Sequence, residues 1–203
     1  SIRYAPLEYN PHDYEKLSAL IGNRGIVLFE LEHPAHTFIN LVGPGNLDYI
    51  YSMSKDLFEE LLSVLSYRAI EYLKSVLYSS DIAAFHWHSP ELYAPFFLFN
   101  MDFRDFIHYY DKMVCDMIHN KKSFAITSTG RLNEKSFNDY RTAGIDLIDC
   151  LPYNNINELA AEKEIISDSS IGRQYCIDID WLYSAAKTEV ESFLNEFLKI
   201  NDS

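Results

Sequence analysis

Short apolar segments that favour β-strands alternate with longer segments of helical periodicity along this chain. We predict strands at Gly25–His33, Asp81–Trp87, Ser123–Gly130, Asp146–Pro152 and Tyr175–Trp181. We predict helices at His12–Leu20, Leu57–Leu77, Phe103–Ile118, Asn133–Arg141, Asn157–Glu164 and Val190–Leu198. Because strands separated by helices usually pair in parallel, the alternation predicts an α/β fold, with helices packed outside a parallel sheet.

The net charge of the protein bears on which macromolecules it can bind. The formal net charge is -13, and proteins that bind nucleic acid do so largely through Lys and Arg on phosphates. The charge therefore argues against nucleic acid and against an anionic membrane surface. No apolar run approaches the roughly 18 residues of a membrane span, so we expect no membrane partner.

The cysteines indicate the compartment. Cys115, Cys150 and Cys176 are sparse and odd in number, and no two of them form a C-x-x-C pair. They predict no disulfide framework. A reducing, cytoplasmic setting is the simplest interpretation.

Functional residues of a parallel α/β sheet lie at the carboxyl ends of its strands. His86 and His88, two residues apart on a strand, point to the same face. They could bind one metal ion with Glu91 as a third ligand. The alternative is one buried, hydrogen-bonded histidine and one exposed histidine, and we do not favour a metal.

The segments after these strands supply further candidates. Glu91 and Tyr93 lie in a proline-stiffened loop, in which a carboxylate could act as a general base or hold a ligand hydroxyl. The alternative is an ordinary surface loop in which Glu91 is only a helix-initiating acid. Thr127, Thr129 and Arg131 lie at a strand-to-helix turn that could hold an anion, or the hydroxyls could simply cap the next helix. Glu32 ends the first strand. We predict catalytic roles for Glu91, His88 and Tyr93, and ligand binding by His86, Glu32, Thr127, Thr129 and Arg131.

Several pieces of the sequence follow one another in a familiar order. They are Pro90-Glu91, a phenylalanine-rich helix Phe103–His119, a strand and glycine turn Ser123–Gly130, and Ala143–Asp146 before a strand that ends near Pro152. Over roughly Gly25 to Ile166, this order resembles the uroporphyrinogen decarboxylase superfamily. The resemblance implies a TIM (β/α)8 barrel with its pocket at the strand carboxyl ends.

The resemblance implies one of two chemistries. Decarboxylases of this superfamily remove acetate carboxyls from a tetrapyrrole without a cofactor, whereas the related methyltransferases use zinc to move a methyl group from a methylcorrinoid to a thiol. We therefore expect a small-molecule or tetrapyrrole ligand. Zinc, a corrinoid or a corrinoid protein is implied only by the second chemistry.

Two features depart from the superfamily pattern. The methyltransferases bind zinc at a His-x-Cys-Gly turn, where this chain has Thr127-Ser128-Thr129-Gly130, and hydroxyls are poor zinc ligands. The decarboxylases carry an Arg-rich loop near the N-terminus, whereas Arg3 and Arg24 are isolated here. The alternative to an enzyme is therefore a non-catalytic ligand-binding or accessory protein on the same scaffold, and a third interpretation is another small α/β enzyme with a doubly wound sheet.

The number of strand–helix units bears on domain organisation. About five are visible, fewer than a closed barrel requires. We expect residues 1–203 to be a single α/β barrel domain that is part of a longer barrel. The alternative is an incomplete barrel closed by a partner chain, such as the second copy in a homodimer.

Overall fold

The computed structural model describes residues 9–90, 101–129, 134–153, 171–177 and 183–201. The strands are β1 Leu28–Glu30, β2 Ala84–His88, β3 Phe124–Ser128, β4 Leu147–Tyr153 and β5 Gly172–Ile177. The helices are α1 His12–Ile21, α2 Pro34–Val42, α3 Leu47–Met53, α4 Lys55–Ser79, α5 Met101–His119, α6 Glu134–Ala143 and α7 Lys187–Asn201. No helix in these ranges combines the length and the apolar character that crossing a bilayer requires.

The five strands form one sheet in the order β1-β2-β3-β4-β5, and every neighbouring pair is parallel. The predicted α/β class and parallel sheet are confirmed. A doubly wound sheet reverses its strand order at a switch point, whereas this sheet runs sequentially, as a (β/α)8 barrel does. The described part of the chain is therefore barrel-like and incomplete, with five strands.

One face of the sheet packs against helices. Phe85 and Trp87 of β2, Ala125 of β3 and Ile148 of β4 belong to one buried cluster with side chains from α4, α5 and α6. Phe85 and Ile148 have no solvent exposure. Because these residues alternate with those of the opposite face, they define a helix-covered face, which forms the larger of two buried apolar clusters among the described residues.

The opposite face, which we call the inner face, changes character along the strands. Near the strand starts it carries Leu28 and Phe124, which are 48% and 58% exposed. Near the strand carboxyl ends it carries Glu30, His86, His88, Ser128 and Asp149, as the strand register shows. The polar end of this face is where the functional residues of a barrel lie.

Helix ends follow the local sequence. Ser54 caps α4, and its hydroxyl accepts a hydrogen bond from the Leu57 N–H at 3.3 Å. Gly144 follows α6 with φ 96°, a left-handed conformation that suits glycine. Serine is a preferred helix N-cap and glycine a preferred residue just after a helix, so the local sequence favours both ends.

The first strand differs from its prediction. It covers Leu28–Glu30 only, because α2 begins at Pro34, and the strand ends before Leu31 and His33, which are buried. Proline suits the first turn of a helix, and the His33 side chain caps α2 by accepting from the Ala35 N–H at 3.1 Å. The long buried strand predicted at Gly25–His33 is therefore wrong in extent.

Candidate functional site

Three neighbouring strands bring a cluster of polar side chains together at their carboxyl ends. Glu30 is in register with His86, His88 is in register with Ser128, and Ser128 is in register with Asp149. Residues in register on parallel strands point to the same face, so five side chains distant in sequence meet on the inner face. Ser128 and Asp149 are buried, at 1% and 8% exposure.

Ser128 links His86 to Asp149. Its hydroxyl donates to Asp149 Oδ1, and His86 Nε2 lies 2.7 Å from the same Ser128 Oγ. Because the hydroxyl has a single proton and gives it to Asp149, His86 Nε2–H must be the donor in the second bond. His86 Nε2 also lies 3.5 Å from Asp149 Oδ2. These two hydrogen bonds fix the orientation of the His86 ring and leave the lone pair of its Nδ1 for another partner.

His88 and Glu30 form the outer part of the cluster. His88 Nε2 lies 3.5 Å from Glu30 Oε1, and the rings of His86 and His88 meet edge to face with centroids 4.9 Å apart. Side-chain exposure rises from 12% at His86 to 35% at His88 and 68% at Glu30. The cluster thus runs from a buried carboxylate to an accessible one.

The other predicted site residues have different places. Thr127 lies on the helix-covered face with no exposure, and its hydroxyl donates to the Trp87 carbonyl at 3.2 Å. Thr129, after β3, is also fully buried. Thr127 therefore lies apart from the polar cluster, in contrast to its neighbour Ser128. Glu91, Tyr93 and Arg131 lie outside the described residues, so their roles stay predictions.

Glu32 lines a neighbouring cavity of about 430 Å³ beside the end of β1. Arg68 and Tyr72 of α4 form part of its wall, and Glu30 is shared with the polar cluster. Burial, followed by the charge of Tyr9, raises the pKa of Tyr72 above its ordinary value. The cavity therefore adjoins the cluster at Glu30 and has both acidic and basic side chains in its wall.

A second histidine–aspartate pair lies in the core beneath the site. His33 Nε2 is 3.5 Å from Asp111 Oδ1, and the Trp87 indole N–H donates to the same oxygen at 3.1 Å. His33 and Asp111 are 2% and 3% exposed. The pair connects the start of α2 to α5, and no periodic pattern in the sequence predicts it.

Comparison with known proteins gives one similar structure. No family model matches the chain, and no curated protein matches it. A solved structure described as a "putative orotidine 5'-phosphate decarboxylase" from Streptomyces avermitilis is 13% identical, with a TM-score of 0.43, over 79% of this chain and 51% of that one. The chain thus spans about half of that structure's length. A likeness at this level bears on neither the reaction nor the substrate of this chain.

Proposed function

We propose that the protein is an enzyme of the decarboxylase type that binds a small organic substrate at the strand carboxyl ends of the inner face. The observation that carries this proposal is the hydrogen-bonded series His86–Ser128–Asp149, in which Ser128 and Asp149 are buried. Burying a carboxylate costs free energy unless hydrogen bonds compensate it, and here the compensating bonds orient an imidazole toward an accessible face. Such fixed polar groups at strand ends are typical of catalytic sites in barrels.

Within this class, decarboxylation of a tetrapyrrole carboxylate is the finer proposal, and the sequence resemblance supports it. In that reaction the bond between the carboxyl carbon and its neighbour breaks, CO2 leaves, and the electron pair left on carbon takes up a proton. His86 and His88 would offer polar contacts to the substrate, while Ser128 and Asp149 position His86. Glu91 as acid or base, Tyr93 beside it and Arg131 as an anion-binding group complete the proposed pocket.

The test is turnover of uroporphyrinogen under anaerobic conditions, with the products oxidised to porphyrins and separated by their number of carboxyl groups. We expect porphyrins with fewer carboxyls than the starting material. Ser128→Ala should lower the rate about 100-fold, because a misplaced catalytic group costs that much. Ser123→Ala is the matched control, since Ser123 Oγ bonds the Ile82 carbonyl at the opposite end of β3. Equal rates in Ser128→Ala and wild type would contradict the proposed role of the hydrogen bonds that join His86, Ser128 and Asp149.

Methyl transfer and non-catalytic binding are two alternative functions, and assays of the same purified protein distinguish them. Non-catalytic binding is favoured over methyl transfer here, because Thr127 in β3 and Thr129 after it are buried and carry hydroxyls, which are poor zinc ligands. Consumption of methylcob(III)alamin in the presence of a thiol would indicate a methyltransferase instead of a decarboxylase. Saturable porphyrin or corrinoid binding without turnover would indicate an accessory protein. A corrinoid-protein partner and a homodimer stay predictions.

A further inference from the structure

Three side chains of the inner face lie within reach of a single ion. Glu30, His86 and His88 each offer one ligand atom, and these atoms lie within 4.8 Å of one another. We propose that they form a divalent metal site that binds Zn²⁺ in preference to Mg²⁺. The site shares its pocket with the proposed function but stands on the geometry of the ligands alone.

The donor set determines the choice of metal. Two imidazoles and one carboxylate match the three-ligand zinc sites that keep a further position open for water or substrate. Mg²⁺ prefers oxygen ligands and keeps much of its own water. A set with two nitrogens therefore favours Zn²⁺ over Mg²⁺.

The distances require only small side-chain movements. Zinc–ligand bonds of about 2.1 Å place tetrahedral ligand atoms about 3.4 Å apart. His88 Nε2 and Glu30 Oε1 are already 3.5 Å apart. The remaining separations are at most 4.8 Å, and they can shorten by rotation of Glu30, whose side chain is 68% exposed, without displacing a core residue.

The backbone under the trio is regular sheet. Glu30 and His86 are in register on adjacent parallel strands, and His88 follows two residues along the same strand. A site on paired strands is held more closely than one on loops. This placement separates the trio from a chance group of exposed side chains.

His86 also has the outer contact that metal-binding histidines need. A ligating imidazole usually donates its second N–H to a fixed acceptor, which sets its tautomer. His86 Nε2–H donates to Ser128, and Ser128 donates to the buried Asp149. The Nδ1 lone pair is thereby kept for a metal, and Asp149 adds a nearby negative charge that favours a cation.

Zinc titration of the untagged full chain tests the site without any substrate. The protein is first treated with a chelator and dialysed, then titrated with Zn²⁺ by calorimetry, with excess Mg²⁺ in a parallel run. We expect one Zn²⁺ per chain that Mg²⁺ does not displace. Glu30→Gln and His88→Gln should each weaken binding about 100-fold or more, and Ser128→Ala about 10-fold to 100-fold through the lost outer contact.

His36→Gln is the matched control, because His36 forms a comparable surface pair with Glu32 at 3.9 Å. It should bind Zn²⁺ as wild type does. Equal affinity in wild type, Glu30→Gln and His88→Gln would overturn the proposal, as would a loss of affinity in His36→Gln equal to that in His88→Gln.

Thermal unfolding supplies a second readout that does not depend on activity. Zn²⁺ should raise the Tm of wild type and of His36→Gln, because a ligand of the native state stabilises it. At the same Zn²⁺ concentration it should raise the Tm of Glu30→Gln less, because that variant binds Zn²⁺ more weakly. Decarboxylation without zinc binding would overturn this inference alone. Zinc binding without decarboxylation of uroporphyrinogen would overturn the proposed tetrapyrrole decarboxylation alone.

Discussion

The two faces of the sheet carry different kinds of side chain, although both are formed by the same strands. On the helix-covered face, side chains such as Phe85 and Ile148 are fully buried in one apolar cluster. On the inner face, exposed apolar side chains near the strand starts give way to histidines and carboxylates at the strand ends. The difference teaches that stability and chemistry are separated by the strand alternation, so substitutions on one face should spare the property of the other.

The largest effect should come from Phe85→Ala on the helix-covered face. Phe85 has no exposure, and its ring meets that of Phe29 at 5.6 Å between centroids. Truncation should lower the free energy of unfolding by about 3–5 kcal/mol. Urea unfolding followed by circular dichroism measures it. A loss below about 1 kcal/mol would show that this face does not carry the core.

Trp87→Phe should have an intermediate effect on the same face. It removes the indole N–H that donates to Asp111 at 3.1 Å and leaves that buried oxygen with one fewer donor. The expected cost is about 1–3 kcal/mol. A double-mutant cycle with Asp111→Asn isolates the pair, and additive costs would rule out the hydrogen bond as the cause.

The sequence predicts those parts of the two faces that depend on interactions between residues close together along the chain. The strands Ala84–His88 and Phe124–Ser128 follow from apolar runs, and α4 follows from its period and from Ser54, because these signals are local. The shortened β1 and the start of α2 at Pro34 were missed, since the apolar run there continues through a strand end and into a helix start.

The site itself depends on strand register, which local patterns do not encode. His86 and Ser128 are 42 residues apart, and Ser128 and Asp149 are 21 apart. The sequence placed His86 and His88 on one face but proposed Glu91 as their neighbouring carboxylate. Among the described residues, the carboxylates beside them are Glu30, near His88, and Asp149, near His86. Their positions follow only from the pairing of β1 with β2 and of β3 with β4.

Alkaline pH should lower the free energy of unfolding through two groups of α5, Cys115 and Tyr110, which are buried against the helix-covered face. Burial, followed by the charge of Asp111, raises the pKa of Cys115 above its ordinary value of 9.0 and that of Tyr110 above 10.0. Above those ordinary values the unfolded chain loses protons that the native chain keeps, so stability is full below pH 9 and falls as the pH rises further. We expect a loss on the order of 1 kcal/mol per pH unit. Urea midpoints measured on both sides of pH 9 in Cys115→Ala and wild type check the sign, and a midpoint that rises with pH would contradict it.

The smallest effect should come from Phe124→Ala, the inner-face counterpart of Phe85→Ala. Phe124 is 58% exposed and lies one strand away from Phe85. Little burial is lost, so the cost should stay below about 1 kcal/mol, the span of strand propensity. A cost close to that of Phe85→Ala would mean that the inner face is covered in solution. If that cost also increased with protein concentration, a second copy of the chain would be the covering element, because only association makes stability depend on concentration.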